Sequence, residues 1–166
     1  MKVFGHITIH GIRKVQVLMD KKLRNIGFAL AKITTEQFAL IEDNYKSGYE
    51  VKIHVNIRFS ADNKAKLVGV FTKFTFETNQ KQFLIIEIGC HFNIEPKAWE
   101  DMFVEESNQL KIPKGFLRHL TVITVGTARG ILHAKTENTP YNKFHLPTIN
   151  VADLIKQDNV FEFNDN

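Results

Sequence analysis

The chain has 166 residues, of which 43% are hydrophobic and 24% charged, with a formal net charge of +4. This fits one domain, residues 1–166, with a real core, and excludes global disorder. The positive residues come in short pairs such as Arg13-Lys14 and Lys21-Lys22 rather than the stripe of a nucleic-acid binder, and no stretch approaches the roughly 18 apolar residues of a membrane span, so neither nucleic acid nor membrane insertion is expected.

A single cysteine, Cys90, excludes an internal disulfide and fits a reducing compartment. The first 19 residues are interrupted by His6, Thr8, His10, Gly11, Arg13 and Lys14, which is not the pattern of a secretory signal, so a cytoplasmic location is expected. Phe is used 14 times, against one Trp and three Tyr. It carries no polar atom, so it serves dry cores and apolar binding surfaces alike.

In chain order, residues 1–19 fit strand or helix equally. Residues 25–34 and 37–41 are candidate pieces of a first strand. Val51, Ile53, Val55, Ile57 and Phe59 then alternate with Lys52, His54, Asn56, Arg58 and Ser60, which predicts a strand with one buried and one wet face. Ala61-Asp62-Asn63-Lys64 reads as a turn. A strand over 67–76 places Val68, Val70, Phe74 and Phe76 on one face, and Glu77-Thr78-Asn79-Gln80 makes the next turn. A strand from Gln82 to Ile94 places Leu84, Ile86, Ile88, Cys90, Phe92 and Ile94 on one face and Phe83, Ile85, Glu87, Gly89, His91 and Asn93 on the other. Short polar connections make this an antiparallel meander.

After Ile94 the period changes. Pro96 suits the first turn of a helix with Trp99, Met102 and Phe103 on one side and Glu100, Asp101, Glu105 and Glu106 elsewhere. A longer helix runs from Pro113 to about Lys135, with a stripe of Phe116, Leu117, Leu120, Ile123, Thr124, Thr127, Ala128 and Ile131. Asn138-Thr139-Pro140 ends it. A short last helix starts near Asn150, with Asp153 in its first turn. Strands first and helices after give an α+β fold.

Chemistry is sparse. The seven histidines lack His or Cys partners at metal-ligand spacing; His6 and His10 are four apart with no third ligand near, so no metal or other cofactor is expected. Cys90 alternates with Ile88 and Phe92 and reads as a small buried hydrophobe. There is no phosphate-binding glycine loop and no serine elbow. Glu87 and His91 share a strand face, about 13 Å apart with Gly89 between, too far for an acid–base pair. No catalytic residue is identified, and an enzyme is not expected. Gly126 and Gly130 lie four apart in the long helix, each costing about 1 kcal/mol relative to Ala. A close approach of another backbone would explain them, either across a subunit boundary or against the chain's own sheet.

From Val51 onward the chain resembles the SecB family of protein-export chaperones. Val51-Lys52-Ile53-His54-Val55, Val68-Gly69-Val70-Phe71, and Gln82-Phe83-Leu84-Ile85-Ile86-Glu87-Ile88 followed by Phe92-Asn93-Ile94 resemble the family's second to fourth strands. Leu146-Pro147-Thr148-Ile149-Asn150-Val151-Ala152-Asp153-Leu154 resembles its signature before the last helix. Asn25-Ile26-Gly27-Phe28 resembles the first strand, and 126–135 part of the long helix. The match spans roughly residues 23–157, with Val151 standing where the family's signature has phenylalanine.

The resemblance implies a four-stranded antiparallel sheet with helices packed on one side, assembled as a dimer of dimers with Gly126 and Gly130 at the oligomer interface. It implies an ATP-independent chaperone that holds unfolded polypeptide, for preprotein export or for a dedicated client such as an antitoxin. The peptide-binding positions it implies are Ile149, Val151, Leu154 and Ile155, with Phe161 and Phe163 just beyond; the alternative is that these apolar residues complete the core, and on the functional reading the tail over 160–163 fills the groove in the absence of a client. The SecA motor is the family's partner for export; members that use it carry an acidic surface, and this chain is net basic. The rivals are a hot-dog acyl-thioester enzyme, whose long helix usually precedes most of its strands, and an adaptor without chaperone activity.

Overall fold

Alternation of apolar and polar side chains is satisfied when one face of a strand is dry and the other wet. The computed structural model describes residues 26–163, where the alternating runs become four long strands: β1 (Phe28–Leu40), β2 (Val51–Asp62), β3 (Leu67–Thr78) and β4 (Lys81–Ile94). They form one antiparallel sheet in the order β1-β4-β3-β2. The β3–β4 turn is the two residues Asn79 and Gln80, at φ 47° and 61°. Paired left-handed residues match the twist of a tight hairpin. The β2–β3 turn is closed by the Asp62 carboxylate, which accepts from the Ala65 N–H at 2.9 Å.

The two pieces expected of the first strand are one strand. Its register against β4 shifts between Leu30 and Lys32 and again between Thr35 and Gln37. Each shift breaks the alternation, which is why the sequence reads as fragments. A further shift in the β3–β4 ladder, beside Phe76 and Glu77, moves Phe83. Strict alternation puts Phe83 on the polar face; instead it is fully buried, its ring 6.2 Å from Phe76 and 5.0 Å from Phe144.

The dry face is covered by helix α2 (Lys114–Thr136), which lies across β3 and β4. Val68, Val70, Phe74, Phe76, Leu84, Ile86, Ile88, Cys90 and Phe92 on the sheet, and Leu117, Leu120 and Ala128 on the helix, are all fully buried. Ile123, Thr127 and Ile131, assigned to the helix's apolar stripe, are only half-buried, whereas Val125 and Leu132 join the core.

The opposite face mixes buried residues, Phe71, Thr75 and Ile85 among them, with polar groups at its margins. Phe71 lies there over two glycines: a Cβ added at Gly89 would stand 2.7 Å from its ring, and one at Gly69 2.9 Å. The Arg58 guanidinium stacks on Phe71 at 3.8 Å and pairs with Glu87 at 3.1 Å, while His91 meets the ring edge-on at 5.4 Å. Glu87 and His91 thus serve different neighbours and form no acid–base pair. Lys73 donates to Gln37 across the same face.

Helix α1 (Pro96–Met102) begins at the expected proline, and its Trp99 donates to the Asn63 side chain at 2.9 Å, tying it to the β2–β3 turn. The expected α-helical continuation through Glu106 is replaced by a short strand and a 3₁₀ turn. A second, three-stranded sheet forms in the order β5-β6-β7 from β5 (Phe103–Val104), β6 (Gln109–Ile112) and β7 (Asn159–Glu162). Glu105 and Glu106 sit in its 3₁₀ turn, and Asn108 takes a left-handed φ of 49°. A seven-residue helix with no side-chain cap is marginal alone, and pairing with a distant strand outweighs it. The short helix α3 (Val151–Leu154) is capped as expected, Asn150 accepting from the Ala152 N–H at 3.2 Å. The architecture is α+β, and among the described residues no helix is long and apolar enough to cross a membrane.

Replacing Gly89 by Ala is expected to lower stability by about 1–3 kcal/mol, because its Cβ would press on both the Phe71 ring and Thr34. Urea denaturation measures this. The double variant Gly89→Ala, Phe71→Ala is expected to show coupling, since removing the ring removes one of the clashes.

Candidate functional site

Helix α2 covers β3 and β4 more fully than β2. Along β2, Val51, Ile53, Val55, Ile57, Phe59 and Ala61 face the helix side yet are only half-buried. Beside them runs a groove of about 350 Å³, floored by Val55, Ile57, Phe59 and Leu117 and walled by residues 154–159. Asn56, Lys156, Gln157, Asp158 and Asn159 give it a polar rim.

The wall is held from both ends. Arg118 of α2 donates to the Ile155 carbonyl at 2.9 Å and to the Ala152 carbonyl at 3.1 Å, satisfying groups at the end of α3 that lack helical partners. Asp158 accepts from the Lys114 N–H at 3.0 Å, a carboxylate at the positive end of α2, and lies 3.7 Å from the Lys111 ammonium. Two polar anchors thus hold the wall of the groove in place.

The expected peptide-binding residues divide. Leu154 and Ile155 line the groove, Leu154 half exposed at 50% and Ile155 buried against the core. Val151 is buried, and Ile149 is half-buried; neither lines it. The tail does not fill the groove. Phe161 stands opposite Leu110 in the β6–β7 ladder, and Phe163 stacks on Phe103 at 6.1 Å. Asn108 fixes that end, accepting from the Phe163 N–H through its carbonyl and donating to the Phe163 carbonyl through its side chain. Main-chain pairing with β6 gives these residues a better place than an open groove, and the sequence carried no sign of β6.

The groove residues that sequence reasoning missed are Val55, Ile57, Phe59 and Leu117. Their alternation and periodicity marked them as inward-facing; nothing local showed that β2 would lie at the sheet edge, where inward-facing residues stay half open.

Gly126 and Gly130 are exposed, and a Cβ built at either meets no atom of the other described residues within 4 Å. Packing against the chain's own sheet is thereby ruled out as their reason. Cys90 is fully buried. Tyr141 has its hydroxyl pKa raised, first by burial and then by the Glu42 charge, and belongs to an aromatic cluster with Tyr45 and Phe144 that does not line the groove. Among the described residues no group of three His, Cys, Asp or Glu side chains is placed to hold a metal ion; His6 and His10 lie outside those residues.

No family model matches the chain, and no curated protein matches it. Among solved structures, the chain is similar to a protein of unknown function from Streptococcus agalactiae, with 13% identity and a TM-score of 0.32, over 75% of this chain and 98% of that one.

Two outcomes follow from these placements. Native protein is expected to resist a thiol reagent at Cys90 and to react on unfolding; rapid native reaction would mean that the β4 face opens. Replacing Phe161 and Phe163 together by Ser is expected to destabilise the chain by roughly 2 kcal/mol or more through lost burial, read in a thermal melt, since both rings pack on the second sheet.

Proposed function

We propose that the chain is an ATP-independent holdase of the SecB type, taking extended segments of unfolded polypeptide into the groove beside β2. The observation that carries this reading is the groove itself: an apolar floor of Val55, Ile57, Phe59 and Leu117, open along one side and rimmed by polar groups. A surface for many different clients needs apolar contact without a closed, shape-specific pocket. Holding an unfolded chain shifts its folding by mass action and consumes no nucleotide. The fold order also favours this reading over a hot-dog enzyme, since α2 follows all four strands of the main sheet.

The proposal includes self-association as a dimer of dimers through the open helix face at Gly126 and Gly130. Two exposed glycines that cost helix stability and meet none of the other described residues are accounted for by a second helix lying close. Clients are either exported preproteins or one dedicated partner such as an antitoxin; the net basic charge argues against a handover to SecA.

The purified protein is expected to suppress aggregation of a chemically denatured client without ATP, and no suppression at a several-fold molar excess would overturn the proposal. Leu154→Asp is expected to weaken client binding about tenfold or more while shifting stability by under about 0.5 kcal/mol, because this side chain is half exposed. Light scattering is expected to give a tetramer that Gly130→Leu weakens. A monomer at micromolar concentration would remove the assembly part and leave the groove part standing.

A further inference from the structure

The chain after α3 divides at Ile155. Up to that point it is pinned: Val151 and Ile155 are buried in the core, and Arg118 holds the Ala152 and Ile155 carbonyls. Beyond it, none of residues 156–163 is fully buried, although Leu110 and Ile112, their ladder partners in β6, are. Lys156 and Gln157 are exposed and make no hydrogen bond to any other described residue. Two such residues between a pinned helix and a four-residue strand make a hinge. Sparse apolar burial and exposed backbone mark a segment that opens ahead of the rest of a fold.

What holds the segment beyond the hinge is spread along its length. Asp158 accepts from the Lys114 N–H at 3.0 Å and lies 3.7 Å from the Lys111 ammonium. Glu162 accepts from the Gln109 side chain at 2.9 Å, and Phe163 bonds to Asn108 and stacks on Phe103. Each contact alone is modest, and so is a pairing of four residues. The Asp158 contact also reaches outside the segment. α2 starts behind Pro113, which offers no side-chain cap, and its first turn holds no acidic residue. The acceptor it lacks locally comes from Asp158, 44 residues away.

We propose that residues 156–163 are a latch: they open and close as one unit about Lys156-Gln157, and closing supplies the N-terminal cap of α2. Residues 156–159 are the polar wall of the groove, so its width follows the latch. The open form loses that wall, strips β6 of its partner strand and leaves the Lys114 N–H to water. This goes beyond the holdase reading and stands without it. Native-state proteolysis of the full chain tests it. Trypsin needs the chain extended on both sides of the bond it cuts, so release of 157–166, followed by mass spectrometry, measures opening. A cut after Lys73, inside β3, reports global unfolding. Amide exchange at Lys114, read by NMR, reports the cap.

Unsubstituted protein is expected to release 157–166 slowly and to be cut after Lys73 far more slowly still. Asp158→Ala is expected to speed release about fivefold, whereas Asp158→Asn, which keeps an acceptor for the cap, stays within about twofold. The decisive variant is Phe163→Ser, at the far end of the segment from α2. It is expected to speed release and Lys114 exchange together, each about tenfold, with the Lys73 cut still far slower than release. Faster fraying at Phe163 with neither of these changed would overturn the single unit. Release only in step with the Lys73 cut would overturn it too, since the segment would then open only with the whole fold. Equally fast release from the unsubstituted chain and every variant would mean that the latch does not close. Asp158→Asn behaving like Asp158→Ala would overturn the capping role.

Discussion

The packing of α2 on β3 and β4 is the constraint on which the rest depends. This helix has little reason of its own to be one. Thr121, Val122, Ile123, Thr124 and Val125 are β-branched in succession, and Gly126 and Gly130 follow; each such residue costs helix stability relative to Ala. The first turn carries no acidic residue and no side-chain cap from Pro113. Four threonine hydroxyls, those of Thr121, Thr124, Thr127 and Thr136, bond back to carbonyls four residues earlier, which satisfies them inside or beside the core. The segment is helical because the sheet offers a wide apolar face and only a helix keeps its own backbone satisfied while covering it.

The covering is uneven, and the uneven part is where the candidate site lies. A single helix is about 10 Å across, whereas four strands at about 4.8 Å spacing span more than that. Centred on β3 and β4, α2 must leave the flanks thinly covered. On the β1 flank the surplus appears as exposed Leu30 and Ile33. On the β2 flank it appears as half-buried Val55, Ile57 and Phe59, partly walled by the chain's return through α3. The groove is a geometric remainder of one helix on four strands, its wall held by Arg118 and Asp158.

Much of the fold was legible because local pattern and tertiary burial agree there. β2, β3 and β4, the Pro96 start of α1, the extent of α2 and the Asn150 cap of α3 all follow from period, turn residues and capping chemistry. What escaped has a common cause in non-local pairing. Phe83 changed face through a bulge visible only in the register with β3. The second sheet joins 103–112 to 159–162, segments too short to show a period and about fifty residues apart in sequence. Leu154 and Ile155, expected through the resemblance, line the groove. Phe161 and Phe163 lie on the second sheet, whose strand β6 is too short to show a period. Strand order, which makes β2 an edge and its inner face a floor, has no local signature.

The division between the sheet's faces limits what kind of binding surface this can be. On the outer face, Arg58, Glu87, Lys73, Gln37 and His91 are committed to one another or to Phe71, so an apolar segment docking there would have to displace satisfied polar groups. The inner face is largely spent on the core. On the β2 flank the described residues leave a groove of about 350 Å³. Backbone groups are the one feature every unfolded chain shares, and a regular edge such as β2 displays their complement. On the proposed reading, a modest apolar floor beside an edge that no described strand pairs would favour extension and apolar periodicity over any particular sequence.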